Sequence, residues 1–240
     1  QSFVPSCDFF SFFRKQLIMH LNASYQTLRR LLGELGILLP VTLYIVNGFK
    51  LEPSISQFYY TQAGTVFTGI LISFGLFLFT YRGHRKNKLP GQNEWVSDNL
   101  LTNIGGVLAL ITVVIPTAYG EGWQTDCRHP LCHDVHWINL IHLVAAAGFL
   151  AVMGGMAYFK FTLNPDEVKW KLILFRSSGI IVWSSILLMA IYIYLRNEGL
   201  EWFPNAIFWG ETMALVAFGT SWLVNGHPDE MWILEQIKGK

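Results

Sequence analysis

Six stretches of this chain, near 31–49, 62–81, 99–118, 137–159, 172–195 and 205–224, stay apolar for about the length a helix needs to cross a bilayer. Such a crossing takes about 20 predominantly apolar residues. Within hydrocarbon every backbone N–H and C=O must find its partner inside the protein, which leaves only helices and closed barrels. No segment alternates apolar and polar residues over about ten positions, as a barrel strand does. The connections are short and rich in Gly, Pro, Asn and charge, as loops are. The expected fold is therefore all-α: one integral membrane bundle of six transmembrane helices over 31–226. Composition agrees, because only 14% of the 240 residues are charged and 52% are hydrophobic, against roughly 25% charged in soluble domains.

The two ends read differently. Residues 1–30 form an amphipathic N-terminal segment. Phe9, Phe10, Phe12, Phe13, Leu17, Ile18 and Leu21 can lie against lipid from a helix on the membrane surface; packing on the bundle as an ordinary helix is the alternative. The apolar run before Arg14 and Lys15 reverses the order of a cleavable signal peptide, so none is expected. Residues 227–240 form a cytoplasmic tail, with Trp232, Ile233, Leu234 and Ile237 as a shorter apolar face.

Charge sets the orientation. Of 17 basic residues, Arg14, Lys15, Arg29, Arg30, Arg82, Arg85, Lys86, Lys88, Lys160, Lys169, Lys171, Arg176, Lys238 and Lys240 fall on one side of the six stretches. Lys50, Arg128 and Arg196 fall on the other. An excess of Lys and Arg marks the cytoplasmic loops, so both termini are expected in the cytoplasm, in a multi-pass protein of a bacterial inner (plasma) membrane. The net charge of +1 hides this asymmetry. No basic patch suits nucleic acid.

That orientation sends the stretch CRHPLCHDVHWINLIH, residues 127–142, outward, with four of the seven histidines in it. Outward compartments of bacteria are oxidising, so Cys127 and Cys132 can form a disulfide. Zinc is an alternative, since Cys127, His129, Cys132 and His133 are ligand types, although their spacing is not that of a common zinc knuckle. Two free thiols are a third. No cofactor is assigned.

Ionisable side chains at membrane depth are costly and tend to face the bundle interior or mark function. His142 stands about two turns into the fourth stretch from its outer end, and Glu211 stands at a similar depth in the sixth. Tyr59, Tyr60 and Tyr192 fall at comparable heights. Together these five residues are the expected ligand-binding set: an imidazole and a carboxylate in one pocket can hold a proton, a metal or a polar head. The plainer reading is a satisfied pair pinning two helices. At the other end, Asp98 opens the third stretch beside Ser97, and Arg82 closes the second; they are expected as a rim pair, with Ser97 or Asp98 capping the helix. Pro40 is expected to kink the first helix and Pro116 to end or bend the third. Gly64, Gly69, Gly105, Gly106, Gly148, Gly154 and Gly155 are expected to let helices approach.

No Walker loop, dinucleotide fingerprint, HExxH or GxSxG motif is present. A haem reading is weak, because no histidine in another stretch faces His142 at its height. Several segments carry a resemblance. SISQFYYT (54–61), VFTGILISFGLFLFTYRG (66–83), SDNLLTNIGGVLALITVVIPT (97–117), IHLVAAAGFLAVMGGMAYF (141–159) and FWGETMALVAFGTSWLVNG (208–226) together resemble a set of bacterial six-span proteins known only as a domain of unknown function. That set in turn is distantly similar to the eukaryotic Frag1/DRAM/Sfk1 membrane proteins. The resemblance implies architecture and no activity. It departs at Thr65, where the family often carries an acid.

Three function classes remain. The first is a non-catalytic membrane module that binds a membrane lipid or a small apolar ligand, or docks into a larger membrane complex, through a buried polar site in its outward half. A metal-dependent intramembrane hydrolase is the second, and its Asp98 and His142 are expected at opposite depths. A proton- or ion-coupled carrier using Glu211 and His142 is the third.

Overall fold

The structure, a computed structural model, describes residues 7–81, 96–119, 131–163, 167–200, 203 and 205–226, with only the backbone for 7–25. Arg82, Cys127, His129 and the tail 227–240 lie outside the described residues. Among the described residues six α-helices make up the architecture: α1 Cys7–Val46, α2 Gly64–Thr80, α3 Asp98–Val114, α4 His136–Gly155, α5 Lys169–Asn197 and α6 Ala206–Asn225. Each apolar stretch of the sequence carries one of them, with boundaries a few residues away except at the start of α1, which begins well before residue 31. Three are long and apolar enough to cross a membrane: α4 with its continuation to Lys160, α5 and α6. The apolar helices α2 and α3 are shorter, at 17 residues each, or about 25 Å at 1.5 Å per residue.

The helices close a ring in chain order, with α6 returning to pack on α1. Glycines set how closely they pack. A Cβ on Gly33 of α1 would lie 2.6 Å from the Gly219 carbonyl oxygen of α6, and one on Gly219 would lie 2.6 Å from the Gly33 carbonyl oxygen. The two backbones touch there, as small residues permit. Gly75 and Gly106 do the same for α2 and α3, and Gly154 and Gly179 for α4 and α5. Of the glycines expected in this role, Gly69 and Gly155 have nothing within 4 Å. Inside the ring an aromatic column runs along the bundle. Phe74 stacks on Phe149 and meets Phe218 edge-on, and Trp222 then links Phe218 to Tyr81 and Phe161.

Two prolines behave differently. Pro40 lies inside α1, which continues through it. The backbone of the N-terminal segment from Cys7 and that of the first apolar stretch form one helix of 40 residues. Pro116, by contrast, ends α3. The residue before a proline is pushed out of the helical region, and Ile115 sits at φ −108°, ψ 92°.

At the end of the bundle where α1 is joined by the starts of α3 and the close of α4, Ser97 caps α3 by accepting the Leu100 N–H at 3.2 Å. Asp98, expected to face Arg82, is paired among the described residues with Lys160, at 3.3 Å. Lys160 ends a π-helical turn, Met156–Lys160, that continues α4. The wider turn changes which way the last residues of α4 point, and a sequence period of 3.6 does not anticipate that. Arg29 donates to the Tyr81 hydroxyl at 3.0 Å at the same end.

Candidate functional site

The opposite end holds an irregular segment, residues 47–63, between α1 and α2. It is polar yet buried: Glu52, Ser54, Ser56, Gln57 and Thr61 are all under one-tenth exposed, beside Ile55, Phe58, Tyr59 and Tyr60. Non-helical backbone tucked among apolar helices must have its polar groups paired by the surrounding protein. Those pairings build the site.

Helix α6 takes two of them. The first N–H groups of any helix have no partner within it, and the Phe208 N–H of α6 donates to the Pro53 carbonyl at 3.0 Å. One turn on, the Glu211 carboxylate accepts the Ile55 N–H. Helix α4 takes the next residue, since the Ser56 hydroxyl lies 2.9 Å from His142 Nε2. The other ring nitrogen, Nδ1, lies 2.6 Å from the Ile115 carbonyl oxygen at the end of α3. A carbonyl has no proton to give, so Nδ1 donates there, and in the neutral ring Nε2 accepts the Ser56 hydroxyl. His142 is 1% exposed and both nitrogens are used.

The exit of α3 is satisfied residue by residue. Pro116 prevents the helix from continuing, which leaves carbonyls to be capped from outside. His142 takes Ile115, and His133 Nε2 donates to the Pro116 carbonyl at 2.8 Å. Tyr60 donates to the Thr117 carbonyl at 2.6 Å, and Gln57 to the Ala118 carbonyl at 2.9 Å. Asn139 of α4 accepts both the Thr117 hydroxyl and the Ala118 N–H. Burial, with the Tyr59 phenol beside it, pushes the Tyr60 phenol up to about 12, so it remains a donor at any ordinary pH.

Glu211 and Ser56 are among the residues that line a cavity of about 40 Å³ between α1, α2, α3, α4 and α6. Its walls are otherwise mostly apolar, with Phe67, Leu71, Phe74, Phe149, Leu150 and Leu215 prominent. A single water occupies about 10–15 Å³ on the same measure, so the space takes a group of about three heavy atoms. Among the described residues the Ile55 N–H is the one hydrogen-bond partner of Glu211, and no cation pairs with it.

The expected set is thus divided. His142 and Glu211 do not touch; they meet successive residues, Ser56 and Ile55, of the same buried segment. Tyr59 and Tyr60 belong to that segment's 3-10 turn, Ser56–Tyr60. Tyr192 does not join them: it is half-buried on α5 and does not line the cavity. Ile55, Ser56, Gln57 and Asn139 do not figure in the expected set, and His133, an alternative zinc ligand by sequence, instead caps the Pro116 carbonyl. A polar run without helical periodicity between two apolar stretches is the one sequence signal that marks residues 52–57. The Cys127–Cys132 pairing rests on a residue outside those described; Cys132 itself is half-buried against the core. Among the described residues no three His, Cys, Asp or Glu side chains cluster as metal ligands would.

Comparison with protein-family models, with curated proteins and with solved structures finds no match. The resemblance to the six-span bacterial set therefore rests on the quoted segments alone.

Proposed function

We propose that this chain is a six-span integral membrane protein with both termini in the cytoplasm, and that its outward half binds a membrane lipid or small apolar ligand. Support for six spans comes from the one-to-one correspondence between apolar stretches and helices. The charge bias supports the orientation: the end that carries Arg29, Arg30 and Lys160 is the basic end, and the end that carries the buried 47–63 segment is poor in Lys and Arg. In this reading the protein is not an enzyme.

The observation that carries the ligand reading is the cavity. Glu211, with a single backbone donor, and Ser56 line an otherwise mostly apolar space at membrane depth. Binding pockets have that composition, apolar walls with a few placed polar groups, and intramembrane acids mark functional positions. His142 acts through Ser56: with both nitrogens engaged it positions the hydroxyl and does not touch the ligand. The hydrolase reading loses its geometry, because Asp98 and His142 belong to opposite ends of the bundle. A proton-coupled carrier remains the second reading, favoured by the same lone acid.

Native mass spectrometry of the full chain from mild detergent tests the binding reading. The wild-type protein is expected to carry a bound lipid or small molecule, and Ala146→Phe, which fills the cavity, is expected to lose it. A wild-type chain that flies free of any adduct, or an adduct kept by Ala146→Phe, refutes it.

A further inference from the structure

We infer that the ligand of this cavity presents an ammonium group, and that Glu211 is its counter-ion. The inference rests on the binding reading above and names its chemistry. One oxygen of Glu211 accepts the Ile55 N–H, and no Lys, Arg or His among the described residues neutralises the carboxylate. A carboxyl group at membrane depth stays ionised only with a cationic partner beside it, and the cavity is where one fits.

The lining selects the kind of cation. A hard metal ion seeks about six oxygens, whereas the lining residues that carry a side-chain oxygen are Glu211, Ser56 and Thr112 alone. Thr112 donates its hydroxyl to the Leu108 carbonyl at 2.9 Å and Ser56 donates its own to His142 Nε2, so each offers only lone pairs. What remains in quantity is aromatic surface: Phe67, Phe74 and Phe149. Ring faces attract organic cations, more strongly when water is excluded. One carboxylate, hydroxyl lone pairs and three phenyl rings suit an alkylammonium head. The volume of about 40 Å³ suits a primary or small methylated one. The same chemistry occurs on a free amphiphilic amine and on the ethanolamine headgroup of a phospholipid.

The test is a thermal-unfolding titration of the full chain in mild detergent, with propylammonium chloride and with propanol as its neutral match. Phosphatidylethanolamine and phosphatidylglycerol are compared in parallel in nanodiscs. Wild type is expected to gain stability saturably with propylammonium or with phosphatidylethanolamine, at a concentration at least tenfold below that needed in Glu211→Gln. Gln keeps an oxygen for the Ile55 N–H and removes the charge. Glu211→Asp, which keeps the charge, is expected to retain the preference for amine over alcohol. A response to the free amine alone assigns a soluble amphiphile, and one to phosphatidylethanolamine assigns a headgroup; both uphold the inference. Equal midpoints for wild type and Glu211→Gln overturn it, as does a folded Glu211→Asp that favours propanol. If propanol saturates in both proteins, the apolar-ligand reading stands and only the counter-ion is lost. Absence of any saturable response overturns both.

Discussion

Replacing His142 by alanine removes one side chain and strands two partners. The Ile115 carbonyl loses its donor at 2.6 Å and the Ser56 hydroxyl loses its acceptor at 2.9 Å, in a place 1% exposed. Each polar group left buried and unpaired costs about 1–3 kcal/mol, so the pair gives about 2–6 kcal/mol. Loss of the ring's packing adds to this. An ordinary polar contact between membrane helices is worth only about 0.6–2 kcal/mol, and the excess here comes from the stranded groups. Ser56→Ala strands only the Nε2 atom and is expected to cost about 1–3 kcal/mol. In the double variant that partner is already gone, so the two losses should fall short of additivity by about 1 kcal/mol. SDS titration of the full chain in mixed micelles, read by far-UV circular dichroism, measures all three. A His142→Ala loss below about 1 kcal/mol, or strict additivity with Ser56→Ala, would falsify the bridging role of the imidazole.

Further outcomes follow from the packing. Gly219→Leu has no room, with the Gly33 carbonyl oxygen 2.6 Å from the first added carbon. It should destabilise by about 2 kcal/mol or more, whereas Gly69→Ala, with nothing within 4 Å, should be neutral or gain up to about 1 kcal/mol; the same SDS titration separates them. Lys160→Met leaves Asp98 alone in a nearly buried place and should cost about 3–5 kcal/mol, with Asp98→Asn in the same chain recovering part of it. Equal stability of the single and double variants contradicts that pairing. For orientation, Phe49→Cys, exposed just past α1, should react with a membrane-impermeant maleimide from outside cells, and Val168→Cys, exposed before α5, only after lysis; the opposite pattern reverses the topology.

Much of the fold was legible because the bilayer simplifies the code. Apolar length decides where helices lie, and Pro116 marks the end of α3 through a local steric rule. The depth match of His142 and Glu211 could be read by counting turns. What bridges them could not: Ile55 and Ser56 lie in a segment without periodicity, and their partners are 156 and 86 residues away. Helix contacts were half legible. Gly106 and Gly154 are at interfaces as expected, but Gly33 and Gly219 were not foreseen, since which face of α1 meets α6 depends on the closure of the ring. The same holds for Asp98, whose partner Lys160 is turned toward it by a π-helical turn that no local propensity announces. Tyr192 shows the opposite failure: its height along α5 fits the site, but its position around the helix does not bring it to the cavity.

The central claim is that the outward half of the bundle holds a ligand between Glu211 and the aromatic wall. A cryo-EM map of the full chain in lipid nanodiscs tests it most directly. The expected result is density inside the ring that touches the Glu211 carboxylate and lies along Phe74 and Phe149, with the His142 ring fixed between Ser56 and Ile115. A closed cavity, with Glu211 turned outward to the acyl chains, contradicts it.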